Sequence, residues 1–178
     1  MKNTKPTILQ LKVFIFGMLC LTFLTGCISA SYSPSTKTPN YHEKIKSVII
    51  WNTGGLSEKY STLVDRMDNT ALQLKKGFDG RGIAAQTLST NDIELNKNSK
   101  LQDLANKMEA THYITLRVLR TSKRNASIAV EFYTYDVTLI DMKTKKEVWR
   151  TVVDANFYSS SDAMASQIFD SMAKDDLF

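Results

Sequence analysis

Hydrophobic and polar residues alternate along this chain with two different periods, and each period predicts a secondary structure. Short apolar runs, or apolar residues at every second position, predict β-strands, whereas three- and four-residue steps predict amphipathic helices. In chain order the pattern predicts strands over 47–51, 83–88, 114–118, 126–140 and 149–157, and helices over 60–78, 101–108 and 164–172. The resulting order β-α-β-α-β-β-β-α predicts an α/β (α+β) fold with helices packed on a mixed sheet, because βαβ units pair in parallel and hairpins antiparallel.

Glycine and serine residues mark the expected ends of these elements. Three glycines are predicted to end the first helix: Gly77, Gly80 and Gly82. Ser99 opens a capping box for the second helix, and Ser160 or Ser161 is expected to cap the last one. The glycine pair at 54–55 predicts a tight turn after the first strand, since the spacing of a phosphate-binding loop is missing.

The strand predicted over 126–140 changes the parity of its apolar positions. The apolar residues are Ile128, Val130 and Phe132 in its first part and Tyr135, Val137 and Leu139 in its second. Because neighbouring residues of a strand point to opposite faces, this change predicts a β-bulge or bend near 133–135.

The first 27 residues combine three lysines, an apolar run and a cysteine. As a helix, the run over 13–24 spans about 18 Å, short of the roughly 30 Å of a bilayer core, which favours a signal segment over a spanning helix. Residues 24–27 (LTGC) then resemble the lipobox of bacterial lipoproteins, in which an apolar residue and two small ones precede the modified cysteine.

The lipobox resemblance implies that segment 1–26 is a signal peptide and is removed. The thiol of Cys27 would then carry diacylglycerol, the new amino terminus an acyl chain such as palmitate, and both would anchor the chain in a membrane. Ile28, rather than aspartate, follows the cysteine. By resemblance to enterobacterial sorting, this favours the periplasmic face of the outer membrane over the inner membrane.

The chain after the signal peptide divides into two parts by composition. Residues 28–43 are rich in Ser, Thr and Pro and show no periodicity, which predicts a flexible tether. The expected organisation is therefore a lipidated cysteine and tether over 27–43, followed by a single globular α/β domain over 44–178.

The charge balance argues against a nucleic-acid binder. The chain carries a formal net charge of +5. However, three of its lysines lie in the signal peptide, which has no acidic residue, and removing them leaves 20 basic residues against 18 acidic ones. The mature chain is thus nearly balanced, and no nucleic-acid partner is expected.

The domain over 44–178 is short of residues that perform chemistry. It contains no cysteine and one histidine, His112, while His42 lies in the tether. A Ser-His-Asp triad or a zinc site would need more ligands or a nucleophile motif than this. Asp65 and Asp68 are three residues apart and fit a solvated helix face. No catalytic residue, metal site or cofactor is predicted, and the protein is expected not to be an enzyme.

Two sets of residues are candidate partner-binding positions. The basic set consists of Arg120, Lys123, Arg124, Lys143 and Lys145. If their two turns lie at one end of the sheet, these residues would form a cationic rim for anionic headgroups, lipopolysaccharide or an acidic protein face; ordinary solvated turns are the alternative. Tyr133 and Tyr135 would form a protein-binding patch on an uncovered sheet face, and burial in the core is the alternative.

The order of elements, the strand at 111–116 (THYITL) and the hairpin over 137–149 (VTLID…EVW) resemble a periplasmic α/β module. That module occurs in the amino-terminal domain of the Tol–Pal translocation protein B, in the outer-membrane lipoprotein that activates penicillin-binding proteins, and in the core of the curli secretion lipoprotein. The resemblance covers roughly 44–178.

The resemblance implies a non-catalytic binding or adaptor module in envelope assembly or regulation, with activation of a peptidoglycan synthase as one specific form. Its partner would be another envelope protein. Two alternatives stay open: a carrier of lipids or small molecules, and a structural subunit of an envelope secretion complex that forms a homo-oligomer.

Overall fold

One mixed β-sheet forms the centre of the molecule. A computed structural model of the chain describes residues 31–55, 61–89, 97–125, 128–156 and 159–178. Within these residues seven strands form the sheet: β1 (Ser31–Tyr32), β2 (Thr36–Lys37), β3 (Ser47–Gly55), β4 (Ala84–Leu88), β5 (His112–Asn125), β6 (Ile128–Asp141) and β7 (Glu147–Asn156). The order across the sheet is β1-β7-β6-β5-β3-β4, and β2 also pairs with β7. From β3 onward this confirms the predicted succession of elements.

The direction of the strands follows their connections. β3 pairs in parallel with both β4 and β5, to which it is connected through helical segments. β5, β6 and β7 pair antiparallel as successive hairpins. The predicted mixed sheet is confirmed, because helical crossovers return the chain to the same end of the sheet and short turns do not.

Helices cover the sheet on both faces. The described residues include α1 (Ser61–Asp79), α2 (Lys97–Met108) and α3 (Ser161–Lys174). α1 and α3 lie together on one face and enclose the main core, to which β3 contributes Val48 and Ile50. α2 packs on the other face over a smaller cluster that includes Ile49. The strand is apolar on both sides because each side has its own helix.

The ends of three elements differ from the prediction. α1 continues through Gly77 to Asp79, so this glycine lies within the helix. α2 begins at Lys97, before Ser99, which therefore does not cap it. The pair at 54–55 belongs to β3, where Gly54 has φ 72° next to a register shift that starts at Asn52. The cap of α3 is confirmed as Ser160, whose side chain accepts a hydrogen bond from the backbone N–H of Ala163.

Gly77 lies within α1 because the two helices of one face touch there. A Cβ atom at this position would lie 2.2 Å from Cε2 of Phe169 on α3. The Phe169 ring also packs on Phe78, with ring centroids 4.8 Å apart. The close approach, rather than the end of the helix, explains this glycine.

The predicted bulge lies on the neighbouring strand. Tyr133, Tyr135 and Val137 all reach the core side of the sheet, so β6 keeps one parity through this region. Opposite Thr134 and Tyr135 the register shift falls between Val118 and Arg120 of β5, and a second shift falls between Lys123 and Asn125, opposite Glu131 and Ile128. The prediction of a bulge near 133–135 of β6 is therefore wrong, because an irregularity of pairing can be absorbed by either of two paired strands.

Residues 31–41 are part of the folded unit, which corrects the prediction of a flexible tether over 28–43. β1 pairs with β7 at Asp154 and Val153, and β2 pairs with it at Arg150 and Trp149. The folded unit thus begins before residue 44. Residues 28–30 lie outside the described residues.

The C-terminal residues hold the same segment from its other side. Lys37 Nζ donates to the carbonyl of Asp175 at 2.7 Å, and the Asp175 carboxylate accepts hydrogen bonds from Trp149 Nε1 and Ser35. Lys44 forms an ion pair with Asp176. The N-terminal segment is therefore fixed both to the sheet and to the end of α3.

Candidate functional site

A cleft of about 760 Å³ lies at the end of the sheet where β5 begins and β6 ends. Its walls come from the C-terminal half of α2, from the N-terminal segment and from the turn between β6 and β7. Its lining includes Tyr41, Lys46, Asn106, His112, Asp141, Lys143 and Lys145. The strand ends and the turn meet here because His112 and Asp141 are directly paired across β5 and β6.

A hydrogen-bonded cluster of Tyr41, His112 and Asp141 forms the floor of the cleft. The Tyr41 hydroxyl donates to Asp141 Oδ2 at 2.8 Å and lies 2.5 Å from His112 Nε2. The other ring nitrogen, His112 Nδ1, lies 2.9 Å from the hydroxyl oxygen of Thr111. His112 is 2% exposed and Asp141 is 6% exposed. The imidazole is thus enclosed, with both nitrogens engaged by the protein itself.

Burial and hydrogen bonding set the protonation of this cluster. Burial lowers the pKa of His112, and the nearby carboxylates of Asp141 and Glu43 offset part of that effect. Burial and the Asp141 carboxylate both raise the pKa of Tyr41. Burial alone would raise the pKa of Asp141, but hydrogen bonds from Thr144 and Tyr41 outweigh it and lower that pKa. The favoured state is an ionised Asp141 beside a neutral Tyr41 and a neutral His112.

This geometry suits a structural latch better than an acid–base catalyst. The Nε2 atom of His112 faces the hydroxyl oxygen of Tyr41, whose proton is donated to Asp141. Its second nitrogen faces Thr111, so neither nitrogen is free to take a proton from a substrate. Tyr41 belongs to the N-terminal segment, and the cluster therefore fastens that segment to the sheet.

The rim of the cleft is basic. Lys46, Lys143 and Lys145 are exposed, and in the described ranges none of them forms an ion pair. Two exposed glutamates, Glu43 and Glu109, also line the cleft. The arrangement offers three unpaired cations above a polar floor, which fits an acidic segment of a binding partner.

The predicted tyrosine patch is wrong. Tyr133 and Tyr135 are each 2% exposed and belong to the main core. Arg66 of α1 lies 5.9 Å from the centre of the Tyr133 ring. The Tyr135 hydroxyl is buried without a hydrogen-bond partner, and burial raises its pKa to about 12. Both residues lie on the face covered by α1 and α3, so neither can contact another protein.

The predicted single cationic rim is also wrong, because its two turns lie at opposite ends of the sheet. Lys143 and Lys145 lie on the turn that follows β6, at the cleft. Lys123 and Arg124 are near the other end of β5, fourteen residues of strand away, which corresponds to about 45 Å. Arg120 lies between them, and its Nε donates to Thr134 at 2.9 Å. That the basic residues of either turn bind a partner stays a prediction.

A polar ladder on β5–β7, on the face opposite the main core, did not emerge from the sequence. Asp136 is buried between Arg117 and Arg150, at 3.1 Å and 2.6 Å from their nitrogens. Thr134 donates to Asp154 at 2.6 Å in the next rung. The sequence does show charged and β-branched residues alternating along these strands. However, which residues contact each other across neighbouring strands follows only from how the strands pair.

Two kinds of feature are absent from the part of the chain that the structure describes. Its His, Cys, Asp and Glu residues form no cluster of three that could hold a metal ion. It also contains no helix long and apolar enough to cross a membrane. Cys27 lies outside the described residues, so the structure does not bear on its predicted lipidation.

Asp68 departs from its predicted role on a solvated helix face. Its carboxylate accepts hydrogen bonds from Asn52 at 2.7 Å and from Ser89 at 2.9 Å. Asp65 is exposed, as predicted. Asp68 thus ties α1 to the ends of β3 and β4, and its partners explain it without chemistry.

Comparison with known proteins identifies the fold. No protein-family model and no curated protein sequence matches the chain. Among solved structures, a PelC variant dodecamer from Paraburkholderia phytofirmans matches with a TM-score of 0.50 and 15% identity, over 81% of this chain and 96% of that chain. A second PelC dodecamer structure from the same organism gives 0.49 at 15% identity, over 81% and 95%. A lipoprotein from Neisseria meningitidis gives 0.32 at 14% identity, over 72% and 96%. The chain therefore shares the PelC fold.

Proposed function

We propose that this protein is a non-catalytic lipoprotein of the cell envelope, anchored in the outer membrane through Cys27, whose domain binds another envelope protein at the cleft. The observation that carries this proposal is the cleft itself. Its rim has three exposed lysines without ion-pair partners in the described chain, and its one histidine is closed to substrates. Binding, rather than turnover, is what these side chains can do.

Two further observations support the proposed attachment to a membrane of the cell envelope. The lipobox at 24–27 would supply the anchor, and the described part of the fold already includes Ser31, four positions after Cys27. Regulation of an envelope machine, with peptidoglycan synthase activation as one form, is the specific role implied by the sequence resemblance.

Photo-crosslinking in cells tests the binding site. A photoreactive residue at Asn106, in the cleft, is expected to capture one dominant envelope protein, whereas one at Asn69, on the outer side of α1, is not. The double variant Lys143→Glu/Lys145→Glu should abolish the capture. Lys76→Glu/Lys174→Glu, with the same change in charge at two exposed lysines that do not line the cleft, should leave it intact.

Three results would contradict the proposal. Equal capture from Asn106 and Asn69 would remove the cleft as the site. Absence of lipid on Cys27 in the mature protein, measured by mass spectrometry, would remove the anchor. Hydrolysis of an envelope substrate that is lost in His112→Ala would replace the binding function by a catalytic one.

Assembly of the chain into a homo-oligomer is the second candidate function. The observation that favours it is the fold likeness to PelC, whose solved structures are dodecamers. Analytical ultracentrifugation of the detergent-solubilised lipoprotein would show a large assembly if this chain associates in the same way. Monomers that persist as the concentration rises would exclude it.

The carrier alternative gains no support from the described residues. The space beneath the β5–β6 hairpin is filled by core side chains, among them Tyr133, Tyr135 and Met164. A lipid that stays bound in native mass spectra would nevertheless establish that function.

A further inference from the structure

The lipid anchor and one particular end of the sheet are joined by very little chain. β1 pairs antiparallel with β7, and Ser31 lies opposite Asp154. Lys37 lies opposite Trp149, near the start of β7, whereas Ser31 lies near its carboxyl end. The chain therefore leaves the sheet toward Cys27 at the carboxyl end of β7. Three residues separate Ser31 from Cys27, and the four Cα–Cα steps between them reach at most about 14 Å. The membrane surface must therefore lie within that distance of Ser31.

The same end of the sheet carries the outer part of the β5–β6 hairpin. Asp154 pairs with Thr134, and β6 begins six residues before Thr134, at Ile128. Six residues of strand extend about 20 Å in the direction of the anchor. Among the described residues, pairing with β7 reaches Phe132 and pairing with β3 reaches Val118, and beyond these positions β5 and β6 pair with each other. We call residues 119–125 and 128–131 the outer hairpin.

The outer hairpin extends farther beyond Ser31 than the chain between Ser31 and Cys27 can reach. Its tip, at Asn125 and Ile128, extends about 20 Å beyond the level of Ser31, whereas the chain to Cys27 extends at most about 14 Å. When the strands point at the bilayer, the outer hairpin meets the surface before the anchor is fully extended. Contact is thus the geometrical consequence of a short connection and a long hairpin.

The charge of the outer hairpin fits the surface that it would meet. Its sequence contains Arg120, Lys123 and Arg124 against one acidic residue, Glu131. Basic groups are attracted to anionic headgroups when they come within a Debye length of them, about 8–10 Å at physiological salt. A lipid anchor combined with a basic patch is also a common pair of membrane signals.

We propose that the outer hairpin contacts the anionic phospholipid headgroups of the membrane that holds Cys27, and that this contact orients the domain. The inference rests on the lipid anchor of the proposed function. The cleft lies at the opposite end of the sheet, about 45 Å along β5. When the outer hairpin contacts the bilayer, the cleft therefore faces away from the membrane.

Fluorescence quenching on vesicles tests this orientation with the full lipoprotein. Cys27 is the one cysteine of the mature chain and its thiol is acylated, so an introduced cysteine can be labelled selectively. A dye is placed at Thr121→Cys in the outer hairpin or at Lys146→Cys at the opposite end. Vesicles of phosphatidylcholine, with or without phosphatidylglycerol, carry a nitroxide quencher on their headgroups.

The expected result is several-fold stronger quenching at position 121 than at position 146, enhanced by phosphatidylglycerol. Lys123→Glu/Arg124→Glu should remove the enhancement, and Lys107→Glu/Lys174→Glu should keep it. Equal quenching at both positions would overturn the proposal. So would quenching at position 121 that changes neither with phosphatidylglycerol content nor with Lys123→Glu/Arg124→Glu.

Failure of the anchor is distinguishable from failure of the contact. A protein that lacks acyl mass on Cys27 and does not float with vesicles would overturn both the proposed function and this inference. A protein that floats with its acyl chains but shows no quenching at position 121 would overturn the orientation alone.

Discussion

Two tyrosines, the half-buried Tyr41 and the buried Tyr135, show how single hydroxyl groups differ in their contribution to the fold. Tyr41 joins the N-terminal segment to Asp141 and His112 through its hydroxyl. Tyr135 is deeper in the core, and its hydroxyl has no partner. A buried polar group without a hydrogen bond opposes folding, whereas a satisfied one that is removed leaves its partners unsatisfied.

The substitutions Tyr41→Phe and Tyr135→Phe are therefore expected to act in different directions. Tyr41→Phe should lower the free energy of unfolding by about 1–3 kcal/mol, since Asp141 and His112 lose a partner. Tyr135→Phe should leave it unchanged or raise it, because the lost hydroxyl binds nothing. Urea unfolding measures both. A larger loss for Tyr135→Phe than for Tyr41→Phe would contradict the assignment of these hydrogen bonds.

His112 gives the stability a pH dependence of predictable sign. Its pKa is lowered in the folded state, so the unfolded chain binds a proton first as the pH falls. The stability is therefore fully present above the ordinary pKa of about 6.5 and is lost as the pH falls toward the folded pKa, with a slope of at most about 1.4 kcal/mol per pH unit. Urea midpoints between about pH 7 and pH 5 should fall.

The variant His112→Gln should remove this slope over the same range, whatever its effect on stability near neutrality. His42→Gln is the matched control, since His42 is exposed and should keep the slope of the wild-type protein. An unchanged slope in His112→Gln would assign the effect to other groups.

Among the elements, the contact of α1 with α3 places the strictest demand on residue size. Gly77 faces the Phe169 ring, and the ring in turn lies 4.7 Å below the guanidinium of Arg81. The two helices cover the same face of the sheet, so neither can move outward without uncovering the core. Packed interiors resist even one added methyl group when the neighbours cannot shift.

Gly77→Ala is expected to destabilise the domain by about 1–3 kcal/mol through overpacking, although alanine favours a helix. Urea unfolding measures the change. Asn69→Ala, at an exposed position of α1, is the control and should be neutral or slightly stabilising. If the clash with the ring is the cause, Phe169→Leu should cost less in the Gly77→Ala background than in the wild type.

The elements also show what periodicity can and cannot predict. The strands and helices from β3 onward follow from apolar spacing, because each has enough residues to show a period. β1 and β2 have two residues each and pair with a strand more than 100 positions away, so no local pattern announces them. The cluster of Tyr41, His112 and Asp141 was missed for the same reason, since its members are 71 and 100 residues apart.

For the whole molecule, membrane attachment and folding are expected to be separable. The described fold begins at Ser31, and within the described residues β1 and β2 pair with β7. Cys27→Ser should therefore release the protein from the membrane fraction and leave its melting temperature unchanged. Cell fractionation and thermal unfolding measure the two effects. A lower melting temperature would show that the lipid itself contributes to the fold.

The pairing of β1 and β2 with β7 has a consequence for the behaviour of incomplete chains. Without the N-terminal segment, the ten residues of β7 would present unpaired N–H and C=O groups along one side, a template for intermolecular strand addition. At the other margin β4 exposes only five residues. A protein that starts at residue 44, the boundary suggested by composition, should therefore aggregate, whereas one that starts at Ser31 should stay dispersed. The segment that connects the domain to the lipid therefore also blocks strand addition between copies of the protein at β7.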